Sequence, residues 1–184
     1  MNAKVDLTNV VIETERLVLR AWKETDLEDL YEYAKTDGVG QMAGWLPHKS
    51  IQESKTILDM FIKDKNEFAL ELKENHKVIG PLGLEELSLS LSKEYDNLTG
   101  REIGYVLSKD FWGKGLMPEA VNAVVEFCFK QEKYDYLMCS HFIENNQSKR
   151  VIEKSGFKFV KKNTRTKKDG SEYISLYYVL DNKL

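Results

Sequence analysis

Two glycines one residue apart, set shortly before a helix, constrain this chain more than any other feature of its sequence. Residues 102–107 are predicted to form a strand, and a helix is predicted from Pro118 onward. Between them, Gly113 and Gly115 allow consecutive backbone N–H groups to point into one concavity, because glycine tolerates positive φ. The helix start adds unpaired N–H donors and the positive end of a dipole. The pattern predicts either a diphosphate-binding loop or an ordinary helix start without a ligand.

Hydrophobic periodicity along the whole chain predicts an α+β fold. The predicted order is strand, two helices, three strands, helix, strand, helix and two strands, which makes seven strands and four helices. Pro81 falls in the predicted strand that begins at Val78, and it indicates an edge strand or a bulged one. The 184 residues show no repeat and no linker, so we expect one domain over residues 1–184 with its core at about 10–181.

Composition excludes several functional classes. The formal net charge of −3 provides no basic field for nucleic acid or anionic lipid. No apolar run approaches the about 18–20 residues of a membrane span, and residues 1–11 lack the features of a signal peptide. Cys128, Cys139 and the three histidines show no metal-ligand spacing. We therefore expect a cytoplasmic protein, monomeric or homodimeric, that binds no metal, nucleic acid or membrane.

Three blocks of the sequence resemble the GNAT acetyltransferase superfamily. Residues 102–120 resemble its acetyl-CoA motif, and residues 145–157 follow the pattern N-x-x-S-x-R-V-x-E-K-x-G-F of its closing motif. That pattern, together with residues 15–20, is similar to the branch containing the bacterial ribosomal-protein N-terminal acetyltransferases. The resemblance implies the GNAT fold, with a mixed, mostly antiparallel central sheet, and acetyl-CoA as the acetyl donor. One departure is Asp110, which stands where the superfamily pattern has Gln or Arg.

The resemblance also implies which residues hold acetyl-CoA. The backbone of residues 105–107 is expected to pair with the pantetheine arm like an added strand, and the Val106 N–H to stabilise the oxyanion. Backbone N–H groups of residues 113–117 are expected to hold the diphosphate. Asn145 is expected at the pantetheine amides and Lys149 at the adenosine phosphate. The implied cofactor-binding residues are Tyr105, Val106, Leu107, Trp112, Gly113, Lys114, Gly115, Leu116, Met117, Asn145, Ser148 and Lys149.

Three side chains are candidates for the proton transfers of acetyl transfer. Glu102 is the first candidate for the general base, and a solvated carboxylate at a strand edge is the alternative. His141 is the second candidate base, and a structural hydrogen-bonding histidine is the alternative. Ser148 is the candidate for protonating the departing CoA thiolate, and an ordinary residue of a first helical turn is the alternative.

The acceptor amine is less constrained than the donor. Resemblance to the ribosomal-protein branch predicts the α-amine of a peptide. A polyamine, an amino-sugar antibiotic or an amino-acid analogue is the alternative acceptor, and a non-catalytic acyl-CoA-binding protein is the alternative class. The acidic predicted first helix would suit a cationic amine, or would simply be a solvated helix face; its carboxylates are Glu24, Asp26, Glu28, Asp29 and Glu32.

Overall fold

The computed structural model describes residues 1–166 and 172–183. The sequence also predicts a basic turn at residues 167–170 between the last two strands, and this turn lies outside the described residues. The described part holds four α-helices and eight β-strands. None of these helices combines the length and the apolar character needed to cross a membrane. By their contacts the residues form two compact units: the first unit is Lys4–Leu84 with Tyr105–Val124, and the second unit is Met1–Ala3, Glu85–Gly104 and Val125–Leu184.

The first unit contains four antiparallel strands that lie side by side in chain order. They are β1 (Ile12–Glu13), β2 (Leu17–Ala21), β3 (Glu67–Leu72) and β4 (Val78–Glu85). Two helices, α1 (Leu27–Ala34) and α2 (Ile51–Asp64), connect β2 to β3. The short β1 is the strand that the sequence pattern missed. A core made of Trp22, Leu30, Tyr33, Ala34, Val39, Leu58, Ala69 and Val78 fills this unit.

Pro81 marks an irregularity in β4, as predicted. It lies opposite Ala69, and the register between β3 and β4 shifts between Ala69 and Glu71. A Cβ atom at the neighbouring Gly80 would come within 2.1 Å of the Val106 carbonyl oxygen. Glycine at this position therefore allows the backbone near residue 106 to pack closely on β4.

The second unit contains four strands in the order β5, β6, β8, β7. Their bounds are β5 (Gly100–Tyr105), β6 (Tyr136–Phe142), β7 (Lys158–Thr166) and β8 (Glu172–Asp181). β5 and β6 are parallel, and the other two pairs are antiparallel. α3 (Leu116–Lys130) precedes β6 and α4 (Asn146–Lys154) follows it. The strand pairings are therefore mixed and mostly antiparallel, as predicted.

Candidate active site

The loop before α3 has the backbone conformation expected of an anion-binding loop. Gly113 and Gly115 both have φ of 76°, a left-handed conformation that costs other residues about 1–2 kcal/mol. Pro118 is the third residue of α3, where no intrahelical N–H is required. A Cβ atom at Gly113 would meet no atom within 4 Å, whereas one at Gly115 would lie 3.6 Å from Nη2 of Arg16. The loop is therefore open on the Gly113 side.

The loop is fixed at its first turn by Trp112. The indole Nε1 donates to the carbonyl of Leu107 at 2.8 Å, and the ring packs against the core of the first unit. The Nζ of Lys114 lies 4.9 Å from the centre of the Phe111 ring, a cation–π distance. The Trp112 side chain thus supports the loop from within the protein.

A cavity of about 500 Å³ opens beside this loop in the first unit. Three cationic and two anionic side chains lie among its lining residues, which gives the lining a small positive excess. The residues are Glu15, Arg16, Leu72, Lys73, Glu74, Phe111, Lys114 and Leu116. Two of these cations pair with carboxylates outside the lining, Arg16 with Glu119 and Lys73 with Glu13, so it is the N–H groups at the start of α3 that favour an anion at this end of the first unit.

The Val106 N–H is not available as the oxyanion donor that the resemblance implied. It donates to the carbonyl of Pro81 at 3.2 Å, and the Ser108 N–H donates to the carbonyl of Ile79 at 2.8 Å. Both groups therefore point toward β4. Because successive N–H groups of an extended segment point in opposite directions, the N–H of Leu107 faces away from β4. Leu107, one residue later, thus becomes the candidate donor.

Glu102 is a buried carboxylate, so the solvated strand-edge interpretation is wrong. It lies on β5 with a relative exposure of 8%. Its Oε1 accepts from the Ser140 hydroxyl at 2.6 Å, and its Oε2 accepts from the Ser88 N–H at 3.1 Å. None of the residues described here offers it a cationic side chain as an ion-pair partner. Among the described residues this buried carboxylate therefore has two hydrogen-bond donors and no cationic partner.

Ser140 is the functional candidate that sequence analysis missed. Glu102 pairs with Met138 across the parallel β5–β6 ladder, and Ser140 lies two residues beyond Met138 on the same face. The Ser140 hydroxyl is thereby directed to the carboxylate. The signal in the sequence is a period of two within β6, which is interpretable only once the register of β5 and β6 is known.

His141 uses both of its ring nitrogens inside the second unit. Its Nδ1 lies 2.7 Å from the Phe142 carbonyl, which can only accept, so Nδ1 carries a hydrogen. Its Nε2 lies 3.2 Å from the Tyr178 hydroxyl, and the two rings are 5.4 Å apart. Burial lowers the pKa of His141 and keeps the imidazole neutral. These contacts favour the structural alternative, and a catalytic role stays a prediction.

The start of α4 holds the other candidates of the closing motif. Asn145 is the N-cap, and its Oδ1 accepts from the Ser148 N–H at 3.0 Å. Ser148 and Lys149 are half-buried in the first turn, and the Lys149 Nζ lies 3.9 Å from Glu153 Oε1. Asn145 therefore shapes the helix start, and the roles of these three residues toward acetyl-CoA stay predictions.

Metal and thiol chemistry find no support in the part of the chain that the structure describes. No three His, Cys, Asp or Glu side chains in residues 1–166 and 172–183 are grouped to hold a metal ion. Cys128 and Cys139 are both buried, and burial raises the pKa of each thiol. Neither cysteine is therefore poised to act as a thiolate nucleophile.

Solved structures share this fold over nearly the whole chain. A GNAT-family acetyltransferase from Bacillus anthracis superposes with a TM-score of 0.81 at 22% identity, covering 95% of this chain and 100% of its own. The ribosomal-protein-S5-alanine acetyltransferase of Vibrio fischeri gives 0.71 at 21% identity, covering 95% and 98%. The spermidine N-acetyltransferase of Vibrio cholerae, solved with CoA and spermine, gives 0.72 at 17% identity, covering 92% and 97%.

Sequence comparison assigns the family. An uncharacterized N-acetyltransferase, p20, from Bacillus licheniformis is 28% identical over 151 residues, which cover 78% of this chain and 80% of that protein. The model of the GNAT acetyltransferase domain matches residues 16–158, more than two thirds of the chain. The protein is therefore an acetyltransferase of the GNAT family, which uses acetyl-CoA as the acetyl donor.

Proposed function

We propose that this protein transfers the acetyl group of acetyl-CoA directly to a primary amine, and that this amine is the N-terminal α-amine of a protein or peptide. The observation that carries the proposal is the buried carboxylate of Glu102, which has hydrogen-bond donors but no cationic partner among the described residues. A buried carboxylate is stabilised by a positive charge. An ammonium group supplies that charge, and the same carboxylate then accepts its proton.

Each proton and charge of the reaction has a candidate group on this chain. Glu102 accepts the proton that the ammonium must lose before its nitrogen can attack the thioester carbonyl carbon. The N–H of Leu107 stabilises the negative charge that develops on the carbonyl oxygen. When the carbon–sulfur bond breaks, Ser148 returns a proton to the departing CoA thiolate, directly or through water. The backbone N–H groups of residues 113–117 hold the diphosphate.

The strength of the base favours an α-amine over a polyamine. An α-amine has a pKa of about 7.8 and a lysine-like amine about 10.4, so near pH 7.5 about a third of the former is neutral but only about 0.1% of the latter. A single hydrogen-bonded carboxylate without a coupled histidine is a weak base. The likeness to the alanine acetyltransferase of Vibrio fischeri supports a peptide acceptor, and the likeness to the spermidine acetyltransferase of Vibrio cholerae keeps a polyamine as the second candidate.

The test is CoA thiol release with a panel of acceptors. Peptides beginning with Ala or Ser, spermidine, an amino sugar and free amino acids are each offered with acetyl-CoA at pH 7.5. We expect the peptides to give the highest kcat/KM. A clear preference for spermidine would overturn the acceptor assignment, and tight binding of acetyl-CoA without turnover on any amine would overturn the enzymatic one.

Glu102→Gln tests the base separately from the acceptor. We expect it to lower kcat by about 10²–10⁴-fold, the usual contribution of a general base, and to lower it more for high-pKa amines than for α-amines. Glu126→Gln is the matched control, because Glu126 is an exposed carboxylate on α3 whose partner is Lys130. An equal loss for all amines, or no loss, would remove Glu102 as the base.

A further inference from the structure

We propose that Arg16 and Glu119 are positioning residues for the diphosphate of acetyl-CoA: they hold the loop at residues 113–115 in its anion-accepting conformation and cancel a carboxylate charge beside it. The inference rests on the proposed function, since it assumes that this loop binds the diphosphate. Arg16 lies in the block at residues 15–20 and Glu119 in the block at residues 102–120, but neither is among the residues that the resemblance implies as cofactor-binding. Both lie in the first unit.

The carboxylate of Glu119, in the first turns of α3, is the centre of a dense set of hydrogen bonds. Its Oε1 accepts from the Thr14 hydroxyl at 2.6 Å and from the Arg16 backbone N–H at 2.9 Å. Its Oε2 accepts from Nε of Arg16 at 2.7 Å and lies 2.6 Å from Nη2. The side chain of Glu119 is 18% exposed and that of Arg16 is 44% exposed, so the carboxylate is sheltered while the guanidinium reaches solvent. The start of α3 is thereby tied to the turn that precedes β2.

The same arginine reaches the loop backbone. Its Nη1 donates to the Lys114 carbonyl at 2.9 Å. Lys114 stands between two glycines that both have φ of 76°, and its carbonyl belongs to the peptide that joins it to Gly115. A fixed carbonyl fixes the peptide plane, and with it the direction of the following N–H group. The guanidinium fork thus fixes the direction of the Gly115 N–H while it also engages the Glu119 carboxylate.

Charge gives the pair a second role. A carboxylate at the start of α3 is favoured by the helix dipole but would repel a diphosphate bound at the same end. Burial works to raise the pKa of Glu119, but hydrogen bonds from Thr14 and from the Arg16 backbone and side chain outweigh it and lower the pKa. The carboxylate is therefore ionised at neutral pH and needs the cation of Arg16 beside it. Removing only the arginine leaves that negative charge facing the ligand.

Steady-state kinetics on four variants test the inference. For Arg16→Met we expect the KM for acetyl-CoA to rise roughly tenfold or more, with kcat and the acceptor KM nearly unchanged, because a charged hydrogen-bonded contact is lost. Arg16→Lys keeps the charge but not the fork, and a rise of about threefold is expected. In Arg16→Met/Glu119→Gln the unpaired charge is gone, so the KM should fall back below that of Arg16→Met, and the gap should narrow in high salt. Lys130→Met breaks a similar ion pair farther along α3 and is the matched control.

The outcomes distinguish a failure of the proposed function from a failure of the roles assigned to Arg16 and Glu119. If the wild-type protein fails to bind acetyl-CoA in a calorimetric titration, the proposed function fails. If the wild type binds it and Arg16→Lys, confirmed as folded by thermal unfolding, shows an unchanged KM, the positioning role is refuted. A double variant whose KM for acetyl-CoA equals or exceeds that of Arg16→Met would refute the charge-cancelling role and leave only a structural one.

Discussion

Alanine substitutions at Gly113 and Gly115 form a matched pair that separates backbone strain from ligand contact. Both residues have φ of 76°, so each alanine should cost about 1–2 kcal/mol of unfolding free energy. For a chain of this size that corresponds to a fall in Tm of about 2–8 °C, equal for the two variants. Their surroundings differ: the new Cβ at Gly113 enters open space, and the one at Gly115 makes an ordinary contact 3.6 Å from Arg16 Nη2.

The affinities for CoA should therefore differ although the stabilities do not. If the diphosphate occupies the open side, Gly113→Ala should weaken CoA binding by at least about tenfold, or about 1.4 kcal/mol. Gly115→Ala should change the affinity by less than about threefold, since its methyl group faces the protein. Isothermal titration with CoA and thermal unfolding of the same samples measure both quantities. Equal affinity losses, or a larger loss at Gly115, would refute the placement of the ligand on the Gly113 side.

Two further substitutions test groups near the proposed base. Ser140→Ala removes the hydroxyl that donates to Glu102, so kcat/KM should fall by about tenfold, or about 1.4 kcal/mol, and an unchanged kcat/KM would contradict a role for this contact. Burial lowers the pKa of His141 in the folded protein below the ordinary value of 6.5. The stability that the buried neutral imidazole contributes is therefore complete above pH 6.5 and is lost as the pH falls toward the pKa of the folded state. His141→Gln should therefore flatten the fall in unfolding free energy below pH 6.5, measured by urea denaturation, and parallel curves for the two proteins would show that His141 does not titrate in this way.

Local sequence determined the part of the site that depends on local backbone geometry. The loop around Gly113 and Gly115 was predictable because glycines at left-handed positions and the start of a helix are both recognisable within a few residues of sequence. The irregularity at Pro81 was predictable for the same reason, since proline cannot donate to a strand ladder. In both places the residue type itself carries the conformational constraint.

Properties that depend on register were not predictable from one sequence. Glu102 is a candidate from the sequence alone, but its burial and its bond to Ser140, 38 residues away, follow from the β5–β6 register. The Val106 N–H, which the resemblance implies as oxyanion donor, donates to Pro81 instead, because the direction of a backbone N–H depends on which neighbour the strand pairs with. A shift of one residue exchanges Val106 for Leu107 and reverses the side that the donor faces.

The acidic first helix shows why charge in a sequence does not identify an acceptor site. Three of its five predicted carboxylates are used inside the first unit: Asp26 binds Arg20 through both oxygens, Asp29 accepts from the Val78 N–H, and Glu32 pairs with Lys77. Lys77 and Val78 are 45 and 49 residues away from their partners along the chain, so no local sequence pattern predicts these contacts. These contacts tie the carboxylates to β2 and to the start of β4, and Asp26 and Glu32 each face a cation there. The proposed selection of a cationic amine therefore rests on Glu102, the buried carboxylate for which the described residues provide no cation.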